Sequence, residues 1–308
     1  MTRVLVTGAG SAAALVLVDS LRGDAVTLFL GAVDPHEPAL RLVQEGRRIT
    51  TPTCGDTASL VRACAEHHID VLVPTRDVDL LGLARQRHRF GMVGTTVMLP
   101  ATASLEASLD RWALHRVCDG VVDRPRTAVF GASLDLEGWR FPLVVKPRFR
   151  GDPRPVHIVR SLAEAKALRR DPTLLVQAYL PGEEIEVDVL AGPLGSVVAS
   201  VPHTVEGRAI HVRHREAPIA AAGRVVRALR MAYASTVRMR QDADGRLVVV
   251  DVVPRIGAGM VVSNDAGVNL PWLSLQLALG RTLPPDAHVF REMSLHDTRS
   301  RLGVPAAS

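Results

Sequence analysis

The chain has 308 residues, of which 47% are hydrophobic and 22% are charged, an ordinary composition for a globular protein with room for two or three subdomains. Its formal net charge of +5 comes mostly from arginine, since only Lys146 and Lys166 are lysines. Aromatic residues make up only 4% and no basic stretch alternates with them, which argues against nucleic-acid binding.

The cysteines indicate a reducing compartment. Cys54, Cys64 and Cys118 form no CxxC pair and have no histidines at zinc-site spacing, so neither a disulfide framework nor a zinc site is expected. No apolar run approaches the ~20 residues of a membrane span. A strand-like segment directly follows Arg3, so we expect no signal peptide. Together these features predict a cytoplasmic protein without a membrane partner.

The chain begins with a predicted strand, a glycine turn and a helix. Gly8-x-Gly10-x-x-Ala13 is a form of the dinucleotide fingerprint. The next predicted strand, Val26 to Val33, is followed by Asp34, where a ribose-binding acid would stand. Two interpretations stay open at this point. The turn belongs either to an NAD site of an oxidoreductase or to any doubly wound sheet.

Strands and helices continue to alternate after the glycine turn. The patterns predict helices over Ser59–His68 and Asp77–Arg87, with strands over Asp70–Pro74 and within Gly91–Pro100. Alternation at this spacing is typical of a parallel, doubly wound sheet. We therefore place one α/β subdomain at residues 1–105.

The second part of the chain mixes longer helices with strands. A predicted helix over Ser104–Gly120 carries the pair Asp110-Arg111. A tail from about residue 285 is predicted to be irregular. The other elements predicted here are strands over Pro125–Phe130, Phe141–Pro147, Leu174–Leu180 and Glu183–Leu190, helices over Ser161–Arg169, Ala220–Tyr233 and Leu270–Leu279, and a hairpin over residues 235–254.

Two strand ends carry charge. Lys146 ends an apolar strand in a chain with only one other lysine, so an ammonium group is needed there, for a phosphate partner or for a buried ion pair. The segment Gly245 to Gly259 runs from an apolar strand into Asp251 and Arg255. An acid and an arginine at a buried strand exit require partners, so they indicate a structural salt bridge or a functional site.

In this order the elements resemble the ATP-grasp superfamily, in particular small carboxylate–amine ligases related to carbamoyl-phosphate synthetase and to the pyrrolysine-biosynthesis ligase. The resemblance covers nearly the whole chain. It implies an α/β protein with a Rossmann-like pre-ATP-grasp subdomain (1–105), followed by a two-subdomain α+β ATP-grasp fold. The latter would comprise a central subdomain with a lid loop (106–180) and a C-terminal subdomain (181–308). In this family such a glycine turn usually binds no NAD, which favours its structural interpretation.

The resemblance also implies roles for residues. Asp110-Arg111 matches the family's Asp-Lys/Arg pair, and the strand ending at Lys146-Pro147 matches its Pro-apolar-Lys-Pro strand. Asp251 to Arg255 falls on Glu-x-Asn-Pro-Arg, which implies magnesium binding by Asp251 and catalysis by Arg255. Gln177 to Glu184 matches the hinge that holds adenine and ribose. With the basic lid residue Arg154, the implied ATP-binding residues are Arg111, Lys146, Arg154, Gln177, Tyr179, Leu180 and Glu184.

The activity implied by the resemblance is ATP-dependent ligation of a carboxylate to an amine through an acyl phosphate. ATP and magnesium would be the cofactors. A small-molecule carboxylate or an amino-acid-like compound would be the substrate. Because dimers are common in the family, a homodimer is one option for its assembly.

The chain departs from the family pattern at the metal site. A Gln or Glu about 14 residues before the metal-binding acid is replaced by Val237, and the Asn two residues after it by Val253. Valine offers no oxygen to a hard cation. Asp251 itself is one methylene shorter than the family's Glu. The sequence therefore predicts one protein carboxylate for magnesium.

The lid loop departs as well. Arg150, Asp152 and Pro155 occupy positions usually filled by glycine, and only Gly151 remains. Proline removes an N–H donor and restricts φ, so the loop is less suited to wrap phosphates with its backbone. The side chains of Arg150 and Arg154 could grip phosphate instead. A stiffened lid would be packed into the cleft or disordered over residues 149–155.

Two functions of different class remain open. The first is an ATP-dependent ligase that works with one carboxylate per magnesium. The second is a non-catalytic ATP-grasp-fold protein that binds a nucleotide or metabolite, or serves another enzyme as a partner. An NAD-dependent oxidoreductase rests on the Gly8–Gly10 turn alone.

Overall fold

The computed structural model describes residues 1–23, 25–51, 56–207 and 209–296. Within these ranges no helix is long and apolar enough to cross a bilayer. Cys64 and Cys118 are buried free thiols, and burial raises the pKa of the Cys64 thiol to about 12. Cys54 lies outside the described residues.

The first sheet is parallel and has five strands in the order β3-β2-β1-β4-β5. Its central strand β1 is buried on both faces, with Val4, Leu5 and Val6 fully inaccessible, which explains its continuous apolar sequence. The strands are β1 Thr2–Thr7, β2 Val26–Ala32, β3 Arg48–Thr50, β4 Val71–Pro74 and β5 Thr96–Val97, and the helices are α1 Ala12–Ser20, α2 Thr57–Glu66, α3 Asp77–Arg85 and α4 Arg87–Gly91.

Two short helices connect this sheet to the next one, where a single helix over Ser104–Gly120 was predicted. α5 covers Thr102–Leu109 and α6 covers Arg111–Val117. Asp110 lies between them in an extended conformation and accepts a hydrogen bond from the Trp112 N–H at 2.9 Å. The prediction of one helix is wrong because an aspartate that caps a new helix interrupts the first.

A second sheet is antiparallel, with four strands in the order β6-β9-β7-β8. It packs on a small apolar core that includes Phe130 and Trp139. Its elements are β6 Thr127–Val129, β7 Leu143–Pro147, β8 His157–Val159, α7 Leu162–Ala167 and β9 Leu174–Ala178.

The third sheet is antiparallel, with six strands in the order β14-β13-β10-β11-β12-β15. Helix α8 covers one face, and the other face packs in part against α9, α10 and the N-terminal helix α1. The elements are β10 Glu184–Ala191, β11 Val197–Glu206, β12 Ala209–Val212, α8 Glu216–Ala228, β13 Tyr233–Gln241, β14 Leu247–Val253, α9 Val261–Asp265, α10 Leu270–Ala278 and β15 Met293–His296.

Two element predictions in this region are wrong. The helix predicted to reach Tyr233 ends at Ala228, and Tyr233 instead begins β13 with a φ of +66°. The tail predicted to be irregular contributes β15, which pairs with β12. Both errors concern segments whose conformation depends on a strand partner far away in sequence, which local patterns do not show. The α/β fold class itself is confirmed.

Candidate functional site

A chain of alternating charges joins the first sheet to the third. Asp77 at the start of α3 contacts Arg255 after β14, with 2.6 Å between Oδ1 and Nε, and Arg150 after β7, with 3.3 Å between Oδ2 and Nε. Arg150 Nη1 lies 2.5 Å from Asp251 Oδ2, and Arg111 Nη2 lies 3.4 Å from the same oxygen. We call these five residues the arginine cluster.

Lys146 lies beside the arginine cluster at the end of β7, as predicted for the lone lysine on an apolar strand. Its side chain is buried, and Nζ donates a hydrogen bond of 2.9 Å to Gln177 Oε1 on β9. Burial lowers the pKa of Lys146 to about 8, with the nearby Asp251 carboxylate opposing that shift and Arg111 and Arg150 adding to it. An ammonium in this position favours an anionic partner.

Both carboxylate oxygens of Asp251 already have partners within the protein. It is 6% exposed, and its Oδ1 accepts a hydrogen bond of 3.0 Å from the Val252 N–H while Oδ2 faces the guanidinium groups. Burial alone would raise the pKa of Asp251, but Arg150, Arg111 and Lys146 hold it below its ordinary value. The carboxylate is therefore ionised and is already neutralised by cations.

The face of the third sheet that carries Asp251 differs from the prediction. Arg238 pairs directly with Asp251 across β13 and β14, so the two side chains share a face. Val237 points to the opposite face, where it packs with α8 and the neighbouring strands. The prediction that Val237 replaces a metal ligand is therefore wrong, because side chains alternate along a strand. Arg238, paired with Glu186 at 2.8 Å, occupies the position facing Asp251.

The residues around Asp251 do not fit a magnesium ion. Magnesium requires several hard oxygen ligands. Here both carboxylate oxygens are engaged, Arg238 stands opposite, and Val253 lies two residues further along the same face. In the described ranges no group of three or more His, Cys, Asp or Glu residues is arranged to hold a metal ion. The predicted role of Asp251 as a metal ligand is not supported by this donor set.

The beginning of the predicted lid is bound to the junction of α5 and α6. Asp110 and Phe149 form an isolated antiparallel bridge, in which the Arg150 N–H donates to Leu109 O at 2.9 Å. Arg148 also makes a two-pronged contact with the Asp110 carboxylate at 2.6 and 2.8 Å. The Arg150 side chain is thus packed into the cleft, whereas Phe149, which is 42% exposed, and Gly151 face outward. The stiffened lid predicted over residues 149–155 is therefore not packed into the cleft as a whole.

Arg154 has different partners from Arg150. Its guanidinium contacts Asp152 at 2.5 Å, Asp171 at 2.9 Å and Thr173 Oγ1 at 2.8 Å. These contacts tie the middle of the loop to the turn before β9. They do not join Arg154 to the arginine cluster, so a role for it in phosphate binding stays a prediction.

The predicted hinge residues follow β9. Leu180 is buried, and its carbonyl accepts a hydrogen bond of 3.1 Å from Arg240 Nη1. Glu184 begins β10 and pairs with Arg240 at 3.2 Å, with 44% of its side chain exposed. The Tyr179 N–H donates to Pro142 O at 3.3 Å, which ties the hinge to the entry of β7. These residues remain candidates for contacts with a nucleoside.

Asp77 belongs to the arginine cluster, but sequence reasoning did not single it out. It follows β4 by three residues and opens α3, so it stands at the carboxyl edge of the first sheet. An acid at such a strand end is a signal for a site, but its partners come from residues 150 and 255. The sequence alone does not show that these segments meet.

The glycine turn after β1 is covered by an acid. The carboxylate of Glu37 lies directly over Gly10, where a Cβ atom would collide with it. Burial raises the pKa of Glu37, and the neighbouring Asp34 raises it further while Arg76 opposes both. A carboxylate at this position repels a dinucleotide pyrophosphate, which supports the structural interpretation of the turn over an NAD site.

The chain has the ATP-grasp fold. This class is defined here by a parallel sheet followed by two antiparallel sheets, with Lys146 on β7 close to Asp251 and Arg255 at the end of β14. Residues 170–298 match the family model for "ATP-grasp in the biosynthetic pathway with Ter operon". These findings confirm the resemblance to the ATP-grasp superfamily.

Solved structures extend the likeness over nearly the whole chain. N5-carboxyaminoimidazole ribonucleotide synthetase from Thermotoga maritima is 15% identical, with a TM-score of 0.72 over 92% of this chain and 77% of that one. L-amino acid ligase from Bacillus licheniformis is 20% identical, with a TM-score of 0.71 over 91% and 74%. The biotin carboxylase domain of Hydrogenobacter thermophilus 2-oxoglutarate carboxylase, in complex with MgADP, ADP and bicarbonate, is 17% identical, with a TM-score of 0.73 over 94% and 72%. At these identities the likeness is one of fold.

Proposed function

We propose that this protein binds the polyphosphate of ATP between Lys146 on the second sheet and Asp251 on the third. The carrying observation is an imbalance of charge: among the described residues, Arg111, Arg150 and Arg255 form ion pairs with two carboxylates, those of Asp77 and Asp251, and the Lys146 ammonium lies beside them. The neighbouring pairs Arg148–Asp110 and Arg238–Glu186 are each neutral. Uncompensated charge that is partly buried is costly, and an anion with two or more charges would remove that cost.

The chain offers residues for each part of ATP. Arg111 and Lys146 would contact the phosphates, since guanidinium and ammonium groups suit phosphate oxygens. Gln177, Tyr179 and Leu180 would line the adenine side, and Glu184 the ribose side, as the resemblance implied. The hydrogen bond between Lys146 and Gln177 supports this assignment because it holds the two candidate regions together.

A titration with ATP and ADP tests the proposal. We expect calorimetry to show binding by the wild type and at least about tenfold weaker binding by Lys146→Met, because a charge-assisted hydrogen bond contributes on the order of 1.5–3 kcal/mol. Lys166→Met is the matched control, since Lys166 is exposed on α7. If neither nucleotide binds at millimolar concentration, the proposal is overturned.

A second candidate is an ATP-dependent carboxylate–amine ligase acting on a small-molecule carboxylate or an amino-acid-like compound. The observation in its favour is the fixed guanidinium of Arg255, held by Asp77 at 2.6 Å and by Ile256 O at 3.0 Å beside the arginine cluster. Such a group can stabilise negative charge that develops on a substrate. Bound ATP would supply the phosphoryl group that activates the carboxylate.

Phosphate release distinguishes a ligase from a protein that only binds ATP. A ligase should release phosphate from ATP when a panel of amino acids is added, and Arg255→Ala should lose that stimulation while still binding ADP. If no carboxylate in the panel stimulates release by the wild type, the ligase candidate is removed and ATP binding alone remains.

A further inference from the structure

The cation that faces Asp251 is a guanidinium and not a metal. Arg150 is 9% exposed at its side chain and bridges two carboxylates, Asp251 through Nη1 and Asp77 through Nε. We propose that Arg150 and Arg111 replace a divalent cation in the arginine cluster, so that the cleft binds a polyphosphate without a metal ion. The inference rests on the proposed function and names Arg150 as the residue that sets the metal requirement.

Arg150 is held in place by the backbone as well as by its side chain. Its N–H donates to Leu109 O, and the Arg111 N–H donates to Arg148 O, each at 2.9 Å. Gly151 follows with a φ of +80°, and a Cβ atom there would approach Val78 to 3.1 Å, so the chain turns closely against α3. The two arginines therefore meet Asp251 from paired backbone segments, and this pre-organised arrangement reduces the entropic cost of binding an anion.

The guanidinium of Arg150 can bind an anion while it keeps both carboxylates. Arginine carries five N–H donors in a planar fork, more than the two contacts seen here require. Arg111 adds a second fork, of which Nη1 is bound to Pro147 O at 2.9 Å and Nη2 faces Asp251. Two planar cations and the Lys146 ammonium thus supply the positive charge that a bound metal would otherwise provide to phosphate oxygens.

A divalent cation would be repelled from the same place. It would have to displace Arg150 from Asp251 and would then lie within a few ångströms of Arg111, at a cost that grows as the site becomes drier. Arg238, which stands opposite Asp251 and is paired with Glu186, offers no oxygen ligand to a metal ion at this position. Free metal and Arg150 therefore compete for one carboxylate.

Calorimetry with ADP and with inorganic pyrophosphate, each in excess EDTA and in millimolar magnesium chloride, tests this inference. We expect both ligands to bind in EDTA. Magnesium should weaken the apparent affinity or leave it unchanged, because it complexes the free polyphosphate and is itself repelled from the site. If pyrophosphate binds as tightly as ADP, the polyphosphate alone determines the affinity. If ADP binds more tightly, the nucleoside also contributes. Both results support the proposal.

Variants at Arg150 provide the matched comparison. Arg150→Ala should weaken ADP binding in EDTA about tenfold or more, because it removes a fork and leaves Asp251 less neutralised beside the anion. Arg150→Lys should recover part of the affinity by keeping the charge. Arg160→Ala, an exposed arginine after β8, should bind as the wild type does. Circular dichroism and thermal unfolding show whether each variant is folded before it is compared.

Three outcomes overturn the inference. They are binding that appears only with magnesium, equal ADP affinity of folded Arg150→Ala and wild type in EDTA, and binding of adenosine without any binding of pyrophosphate. Complete absence of ATP, ADP and pyrophosphate binding in both buffers overturns the proposed function itself. Magnesium-dependent binding overturns only the metal-free centre, so the two failures are distinguishable.

Discussion

Two strand-end turns of this protein look like anion sites, and they differ in the sign of the charge around them. The Gly8–Gly10 turn has the spacing of a phosphate-binding loop, yet the carboxylate of Glu37 lies over it and Asp34 is near. The exit of β14 also leads into a Gly-Ala-Gly turn, Gly257 to Gly259, but it gathers an excess of arginine and lysine around Asp251. The comparison teaches that charge from distant segments, more than the local glycine pattern, decides which turn can hold phosphate.

The largest effect is expected at Asp251. Asp251→Asn removes the partner of two guanidinium groups, and breaking a buried ion pair costs about 3–5 kcal/mol, so the free energy of unfolding should fall by that order. At the same time the affinity for pyrophosphate in EDTA should stay the same or rise, because a negative charge has left the arginine cluster. Urea unfolding and calorimetry measure the two quantities.

Asp19→Asn, at an exposed position of α1, is the control for Asp251→Asn and should change neither quantity. A folded Asp251→Asn protein that loses magnesium-dependent nucleotide binding would instead make Asp251 a metal ligand. That result would contradict the contrast between the two turns, because a carboxylate would then be a main functional group at the β14 exit as well as over the Gly8–Gly10 turn.

An intermediate effect is expected at the glycine turn. Gly8 has a φ of +75°, and a Cβ atom there would lie 2.6 Å from Thr75 Oγ1, which is fixed by a hydrogen bond of 2.7 Å to Thr7 O. Gly8→Ala should therefore reduce the free energy of unfolding by roughly 1–3 kcal/mol. Nucleotide affinity should not change, because the turn is structural.

Gly10→Ala is the matched variant for Gly8→Ala. The added methyl group meets the flexible end of Glu37, which can move, so the loss of stability should be under about 1 kcal/mol. Thermal or urea unfolding measures both variants. A loss of nucleotide affinity in either variant, while the protein is folded, would show that this turn takes part in binding.

The smallest effect is expected with pH at Lys146. The pKa of this lysine is lowered to about 8 by burial, so its ammonium is lost as pH rises through that value. ADP affinity should then fall by up to about tenfold per pH unit above 8, since the phosphate groups, with a second pKa of about 6, are already ionised. Calorimetry from neutral to alkaline pH measures this decline.

The stability of the free protein should change with pH in the opposite sense. Between about 8 and the ordinary lysine pKa of 10.5, the unfolded chain binds more protons at this position than the folded chain does. The contribution of Lys146 to the free energy of unfolding therefore rises with pH across that window. Lys146→Arg should flatten both profiles, and an ADP affinity of the wild type that is constant across this range would contradict the assignment.

Much of the site was predictable because its parts are local. Lys146 follows an apolar run and Asp251 interrupts one near its end, and single charges in such runs are visible in the sequence. The position of Arg255 next to a proline and a glycine-rich turn was visible in the same way. The partnership of Arg150 with Asp77 was not, because 73 residues separate segments that only the folded chain brings together.

The faces of the strands were predicted less well. Val237 was assigned to the metal side by counting residues back from Asp251, and the count crosses a bulge between β13 and β14. One residue of shift moves a side chain to the other face, which exchanges a buried valine for Arg238. Register is set by pairing between strands, so the sequence of one strand cannot establish it.

By itself, the sequence determined most of the strands and helices, the class of fold and the charged residues near strand ends, because periodicity and turn chemistry act over a few residues. Only the tertiary structure decided which charges meet. It placed Glu37 over Gly10, Arg238 opposite Asp251 and Arg150 between two carboxylates. Electrostatic energy depends on distances in space and on burial, and neither follows from separation along the chain.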